Sequence, residues 1–396
     1  MKWRMFICAI CFLIGGCSLN IPLEDQFSDP DAITDVLSAR SLLASAYKAM
    51  PQQIFQLSVL SDDFCPSQHL NKDMSLQGLY NWREVEMTEL AGTLWAGYYA
   101  VIAEVNALLA RIDAVVTLDE TEKLEKMRIV CEAKALKSWC YFDLLRLFAP
   151  RYEGNENKDG IILKKRVELD FLPRSSVKEC VTEIRTLLNE ARNVDNTQKN
   201  VYWLSDKAVA YLQVELELYA GNYPAVLELT KDLETEYPES VLGADVYKYL
   251  WSSENSDARI FGKYQLEQIY MDIRFDTFEK GDYLVLSQNV DYEEEDIRKE
   301  WSEIPFVMPD AKNVRLLGKY NKMNRDKVAS KYVNVARAAG MWLMRVEALA
   351  RSGKEGDAVA LANRMLKQRG ATEWSTNIAG NELISKILIE RQKEYV

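Results

Sequence analysis

Histidine is almost missing from this chain, with His69 the single one among 396 residues. A Ser-His-Asp triad or a His-rich zinc site would have to be built on it, with partners that no spacing supplies. His69 therefore reads as a loop residue in ordinary contact with solvent. Gly-rich phosphate loops are missing too, because Gly15-Gly16 belongs to the N-terminal leader. Positive charge is in deficit, 49 Lys and Arg against 60 Asp and Glu, for a net charge of -11. That balance excludes a nucleic-acid partner, since nothing would neutralise its phosphates. Cysteine is sparse: of seven, Cys8 and Cys11 lie in the leader and Cys17 directly follows it, which leaves Cys65, Cys131, Cys140 and Cys180 in the body of the chain. Four thiols allow two disulfides, but their spacings resemble neither a metal site nor a disulfide scaffold. Cys131 and Cys140 also lie too far apart along one helix to bridge. Buried free thiols are the preferred reading. No metal site and no cofactor are assigned.

What is present begins at the N-terminus. Lys2 and Arg4 precede an apolar run from Met5 to Ile14, closed by Gly15-Gly16-Cys17. The run is a secretory signal, too short for a spanning helix of ~20 residues. The small pair before Cys17 resembles a lipobox, after which the cysteine is acylated and the leader removed. Each buried acyl CH₂ contributes about 0.8 kcal/mol, so two or more chains would hold a domain at the membrane. No later stretch reads as long and apolar enough to span a bilayer. Residues 1–16 are thus the leader, and 17–396 one large domain; the sequence as a whole is 48% hydrophobic, enough to fill a substantial core.

Helical periodicity dominates that domain. Trp95, Tyr98, Ile102, Val105, Leu109 and Ile112 share one face, and Leu124, Met127, Cys131, Ala135, Trp139 and Phe142 do the same in the next helix. Ala149-Pro150 stops the second. Ser176 with Glu179 forms a capping-box pattern for a helix through Ala191. A helical hairpin follows: Ser205-Asp206 starts one arm, Gly221-Asn222 ends it, and Tyr223-Pro224-Ala225 opens a partner running to about Glu236. The design recurs at Met341 to Arg351, Gly353, and Ala358 to Arg369. Each breaking glycine is followed by a small alanine (Ala225, Ala358), as close helix crossings need. This is tetratricopeptide-like logic, with a helical scaffold at about 31–240 and 337–396. Between them, about 241–336 shifts to Tyr, Trp, Asp, Glu and Asn, with brief strand-like patches such as Tyr283 to Leu286 and two prolines within Ser302 to Pro309. It reads as a loop-rich insert, the kind of segment that forms binding surface or cover.

In this order the segments resemble the SusD/RagB family of nutrient-binding lipoproteins. The resemblance rests on the helix Leu37 to Tyr47 and on Trp95, Tyr98, Ile102 and Asn106. It continues in Glu132, Ala133, Ala135, Tyr141 and Phe142, in Arg174-Ser175 before an amphipathic helix, in Gly221-Asn222-Tyr223, and in Arg345, Glu347 and Gly353. The last match is Glu390-Arg391-x-x-Glu394. Family members run on past this motif, whereas the sequence stops at Val396, so a shortened or truncated member is expected. The resemblance implies a mainly α fold and no enzymatic activity. It implies an anchor in the outer membrane facing the exterior. It also implies a SusC-like TonB-dependent transporter as partner, to which glycan or peptide is delivered.

Binding chemistry can be placed more narrowly. Sugars present apolar C–H faces beside hydroxyls, so their sites pair aromatic platforms with amide, carboxylate or guanidinium groups. Tyr80, Asn81, Trp82 and Arg83 supply this within four residues of a loop-like stretch. Trp251, Tyr292 and Trp301 in the insert are further candidates. Trp95, Trp139 and Trp342, on helical faces, are core. The acidic run Asp291 to Asp296 reads as a solvated face. Two other functions fit the pattern: a tetratricopeptide-type scaffold binding another protein, or a surface glycosidase. The latter would need two carboxyls at a fixed separation, and none can be assigned.

Overall fold

The computed structural model describes residues 33–66, 74–168, 170–192, 200–252, 255–264, 284–307, 311–320 and 332–396. The leader, Cys17 and His69 lie outside them. Helices α1 (Val36–Ala49), α2 (Ile54–Leu60), α3 (Met74–Tyr80), α4 (Glu84–Arg111) and α5 (Glu120–Phe148) come first. Helices α6 (Val177–Glu190), α7 (Asp206–Tyr219) and α8 (Tyr223–Leu229) follow. After the insert come α10 (Ala338–Arg351), α11 (Glu355–Arg369) and α12 (Gly380–Tyr395); the insert itself carries α9 (Ile297–Ser302).

Local chemistry accounts for most helix ends. Asp119 caps α5 by accepting from the Glu122 N–H at 2.8 Å, and Ala149 turns extended before Pro150. The Ser176–Glu179 capping box opens α6. Gly221 and Gly353 take left-handed φ values of 70° and 75° where their helices stop. One arm differs from expectation. The partner arm does run to Glu236, but α8 itself breaks after Leu229 and a separate turn of helix covers Leu233–Glu236. Arg345 of α10 then donates to the Leu227 and Thr230 carbonyls at 3.0 and 2.9 Å. A side chain from the late helical pair thus caps the early one.

That contact reveals the architecture. Helix α10 packs on α7 and α8 as well as on α11 and α12, so the stack of helix pairs continues directly across the insert. The buried core runs unbroken from Leu43 through Ile102, Phe142, Leu216 and Trp342 to Ile387. Helix α4 is long and apolar enough to cross a membrane by length and composition, contrary to the sequence reading. Its apolar face (Leu94, Tyr98, Val101, Val105) is nevertheless buried, and α4 packs on α1 and α5 as a core helix does.

The insert is more regular than its composition suggests. Strands β2 (Arg259–Tyr264) and β6 (Tyr332–Arg337) pair antiparallel. Strands β3 (Leu284–Leu286), β4 (Glu303–Val307) and β5 (Asn313–Leu317) join β1 (Phe64–Pro66) in a sheet of order β1-β3-β5-β4. The patch at Leu284 to Leu286 is a strand as expected. The Pro305 segment, expected as loop, is a strand because it lies on the sheet edge, where a missing N–H goes unneeded; Pro66 sits in the other edge strand. Cys65, Cys131, Cys140 and Cys180 are free thiols.

Candidate functional site

Helices α3 and α4 are joined by only Asn81, Trp82 and Arg83. The Arg83 N–H donates to the Gly78 carbonyl at 2.9 Å and the Trp82 N–H to the Leu79 carbonyl at 3.0 Å. These six-to-one and five-to-two bonds are a Schellman closure, whose left-handed residue is usually glycine. Here it is Trp82, at φ 53°. The strain of that conformation costs a non-glycine residue roughly 1–2 kcal/mol. Its indole gains little from packing in return, being 63% exposed.

The surroundings hold the turn firmly. The Asn81 side-chain amide donates back to the Gln77 carbonyl at 2.7 Å, and Gln77 donates to the Pro66 carbonyl of β1 at 3.1 Å. Arg83 ion-pairs with Glu86 at 2.6 Å, and Glu86 lies against Gly78 so closely that a Cβ there would overlap its carboxyl group. Tyr80 is exposed beside them. The four residues singled out in sequence therefore share one rigid surface turn bearing two aromatic rings, an amide and a guanidinium.

The insert aromatics are placed differently. Trp251 is 3% exposed and sits edge-on to Tyr247 and Tyr320, with the Lys319 ammonium 4.8 Å from its ring. Tyr292 is 4% exposed, and its hydroxyl donates to the Lys393 carbonyl at 2.9 Å. Burial pushes that phenol well above its ordinary range. Trp301 packs partly buried against the Tyr247–Trp251 cluster. These rings enclose a buried ion network. Arg298 pairs with Asp296 at 2.6 Å and Glu390 at 2.5 Å, while Glu394 receives Arg337 at 3.1 Å and Arg369 at 3.0 Å. Trp251 borders a cavity of about 280 Å³, together with Phe55, Phe64, Lys319 and Arg337. The acidic run is not wholly solvated either: Asp296 is buried on Arg298.

Residues 23–214 match the pattern of the SusD-like family described as starch-binding associating with outer membrane. Solved SusD-superfamily structures extend the likeness over the rest. A SusD superfamily protein from Bacteroides thetaiotaomicron is 17% identical, with 91% of this chain and 86% of that one covered at a TM-score of 0.71. The chain thus carries a SusD-like family match over residues 23–214 and the SusD-superfamily fold along nearly its whole length. A putative sugar binding protein from Bacteroides vulgatus is 20% identical, covering 92% and 85% at a TM-score of 0.74. A SusD-like carbohydrate binding protein from the same species is 18% identical, covering 91% and 81% at 0.69. No curated protein matches significantly. The mainly α, paired-helix fold is thus the SusD-like fold. The Glu390-Arg391-x-x-Glu394 motif is structural in this chain: Glu390 and Glu394 serve the buried arginines, and Arg391 pairs with Glu347 of α10. A second aromatic group, Tyr202, Tyr264 and Tyr332, escapes sequence reading, because its members come from three distant segments.

Proposed function

We propose that this SusD-like protein is a non-catalytic lipoprotein, anchored through Cys17 to the exterior face of the outer membrane. It binds oligosaccharide on the Tyr80–Arg83 turn and delivers it to a SusC-like TonB-dependent transporter. The observation that carries the binding site is Trp82. A large apolar ring held in water on a strained backbone is an arrangement that stability alone disfavours, and such strain concentrates at functional positions. Tyr80 adds a second ring, while Asn81 and Arg83 place hydrogen-bonding groups at the platform's edge, as a pyranose requires. The names borne by the Bacteroides vulgatus structures, sugar binding and carbohydrate binding, support the ligand class. The family description supports the outer-membrane setting.

Two substitutions test the turn. Trp82→Ala keeps the left-handed strain and removes the ring; it should lose glycan binding with an unchanged melting temperature. Trp82→Gly also loses binding but relieves the strain, raising stability by about 1 kcal/mol. Binding is read by mobility in native gels cast with soluble polysaccharides, stability by urea unfolding. If both variants bind like wild type, the turn is not the site.

A further inference from the structure

Three tyrosines from separate segments converge at one end of the β2–β6 ladder. Tyr264 closes β2, Tyr332 opens β6, and the two face each other in register. Tyr202 arrives on the segment before α7, which is fastened to the sheet where the Gly262 N–H donates to the Val201 carbonyl at 2.9 Å. Ring centroids lie 5.5 Å apart for Tyr202 and Tyr264, 5.9 Å for Tyr264 and Tyr332, and 6.3 Å for Tyr202 and Tyr332. The planes of Tyr202 and Tyr332 are within 8° of parallel. None of the three is buried, and Tyr264 is 41% exposed.

The cluster is built from behind. Buried Arg259 holds its guanidinium 5.0 Å from the Tyr332 ring. It is itself fixed by donating to Asn334 Oδ1 at 2.8 Å and to the Tyr249, Leu250 and Ser252 carbonyls at 2.9, 2.9 and 3.0 Å. Gly262 gives this packing its room, since a Cβ there would come within 3.1 Å of the Tyr332 Cβ and 3.2 Å of the Arg259 Cδ. On the flank, Trp203 sits edge-on to Tyr47 at 5.0 Å and under the Arg40 guanidinium, also at 5.0 Å. A staple joining a loop to a sheet would gain most by burying its rings. This one fixes them rigidly and leaves them partly in water, which is what stacking against a ligand requires.

We propose that Tyr202, Tyr264 and Tyr332 form a second carbohydrate platform, on which pyranose rings of a neutral oligosaccharide stack. The ring faces select the sugar's C–H surface, and the chain's net charge of -11 works against polyanionic glycans. The inference rests on the carbohydrate reading of this protein but not on Trp82 being its site.

The test is native gel retardation of the full chain by amylopectin, galactomannan, xyloglucan, mixed-linkage β-glucan and polygalacturonate. Wild type should be retarded by a neutral polymer. Tyr264→Ala should weaken that retardation about tenfold, as the loss of one stacked ring predicts, with an unchanged melting temperature. Tyr264→Phe, which keeps the stacking face, should bind like wild type. Wild-type retardation of Tyr264→Ala overturns the platform, and if Trp82→Ala alone loses it, the carbohydrate reading stands without a second site. Retardation by polygalacturonate only overturns the neutral ligand. No retardation of wild type by any polymer overturns the carbohydrate reading and the platform together.

Discussion

Glu394 has no access to water, which by itself would hold its carboxyl protonated, yet Arg369, Arg337, Arg298 and Lys319 surround it and bring its pKa down to about 2. The ordinary value is 4.5, so the folded state is favoured whenever Glu394 is ionised. The contribution is complete above the ordinary value and drains away as pH falls through it toward 2. Its size is roughly 3 kcal/mol for a shift of this order. Glu394→Gln leaves several arginines short of a counter-charge and should cost about 3–5 kcal/mol at neutral pH. Urea unfolding of both proteins between pH 6 and pH 2 should show the gap closing as acid is added. A gap of constant width would mean that Glu394 is not held ionised by its neighbours. The same residue marks what could be read from sequence. Glu390-Arg391-x-x-Glu394 is visible as a motif, but the arginines it serves lie at 298, 337 and 369, and only folding brings them together. Trp82 is the opposite case: its neighbours are its partners, so a loop bearing Tyr, Asn, Trp and Arg could be picked out directly. Trp251 and Tyr292 look alike in composition, and their burial is decided by residues far along the chain.

Among elements, helices were legible and strands, apart from the patch at Leu284–Leu286, were not, for a physical reason. A helix carries its own start and stop signals, Ser176 and Ser205 at N-termini and Gly221 and Gly353 at C-terminal ends, whereas strand pairing is settled by partners remote in sequence. Strand β1 illustrates this, since its partner β3 lies more than two hundred residues away. Glycine at the end of α11 shows how the two kinds of structure are tied. Gly370 takes φ 70°, and a Cβ there would collide with the Glu295 carbonyl of the insert. Gly353, at φ 75°, has open space around it. Gly353→Ala should therefore cost only the left-handed penalty of roughly 1–2 kcal/mol. Gly370→Ala should cost that and the displacement of the insert, about 1–3 kcal/mol more. Chemical denaturation of the two variants measures the difference directly; equal losses would show that the Glu295 backbone yields freely and that the insert is loosely held there.

At the scale of the whole molecule, the stack of helix pairs offers a rigid body whose core continues across the insert through α8 and α10. Rigidity of this kind suits a protein that must present a ligand to a partner in fixed orientation, and it equally suits a scaffold that binds only another protein. The two readings separate at the membrane. A nutrient-binding lipoprotein works at high local concentration beside its transporter, which a lipid tether supplies, since confinement turns a weak encounter into a repeated one. Cys17→Ser should leave folding untouched and move the protein from the membrane pellet to the soluble fraction. Wild type, captured from detergent-solubilised outer membrane, should bring with it a large TonB-dependent barrel in near-equal amount, and the Cys17→Ser protein far less of it. Membrane association that survives the substitution would remove the tether from the mechanism. A soluble partner in place of the barrel would move the protein to the scaffold reading, and Trp82 would then have to answer to a protein surface instead of a sugar.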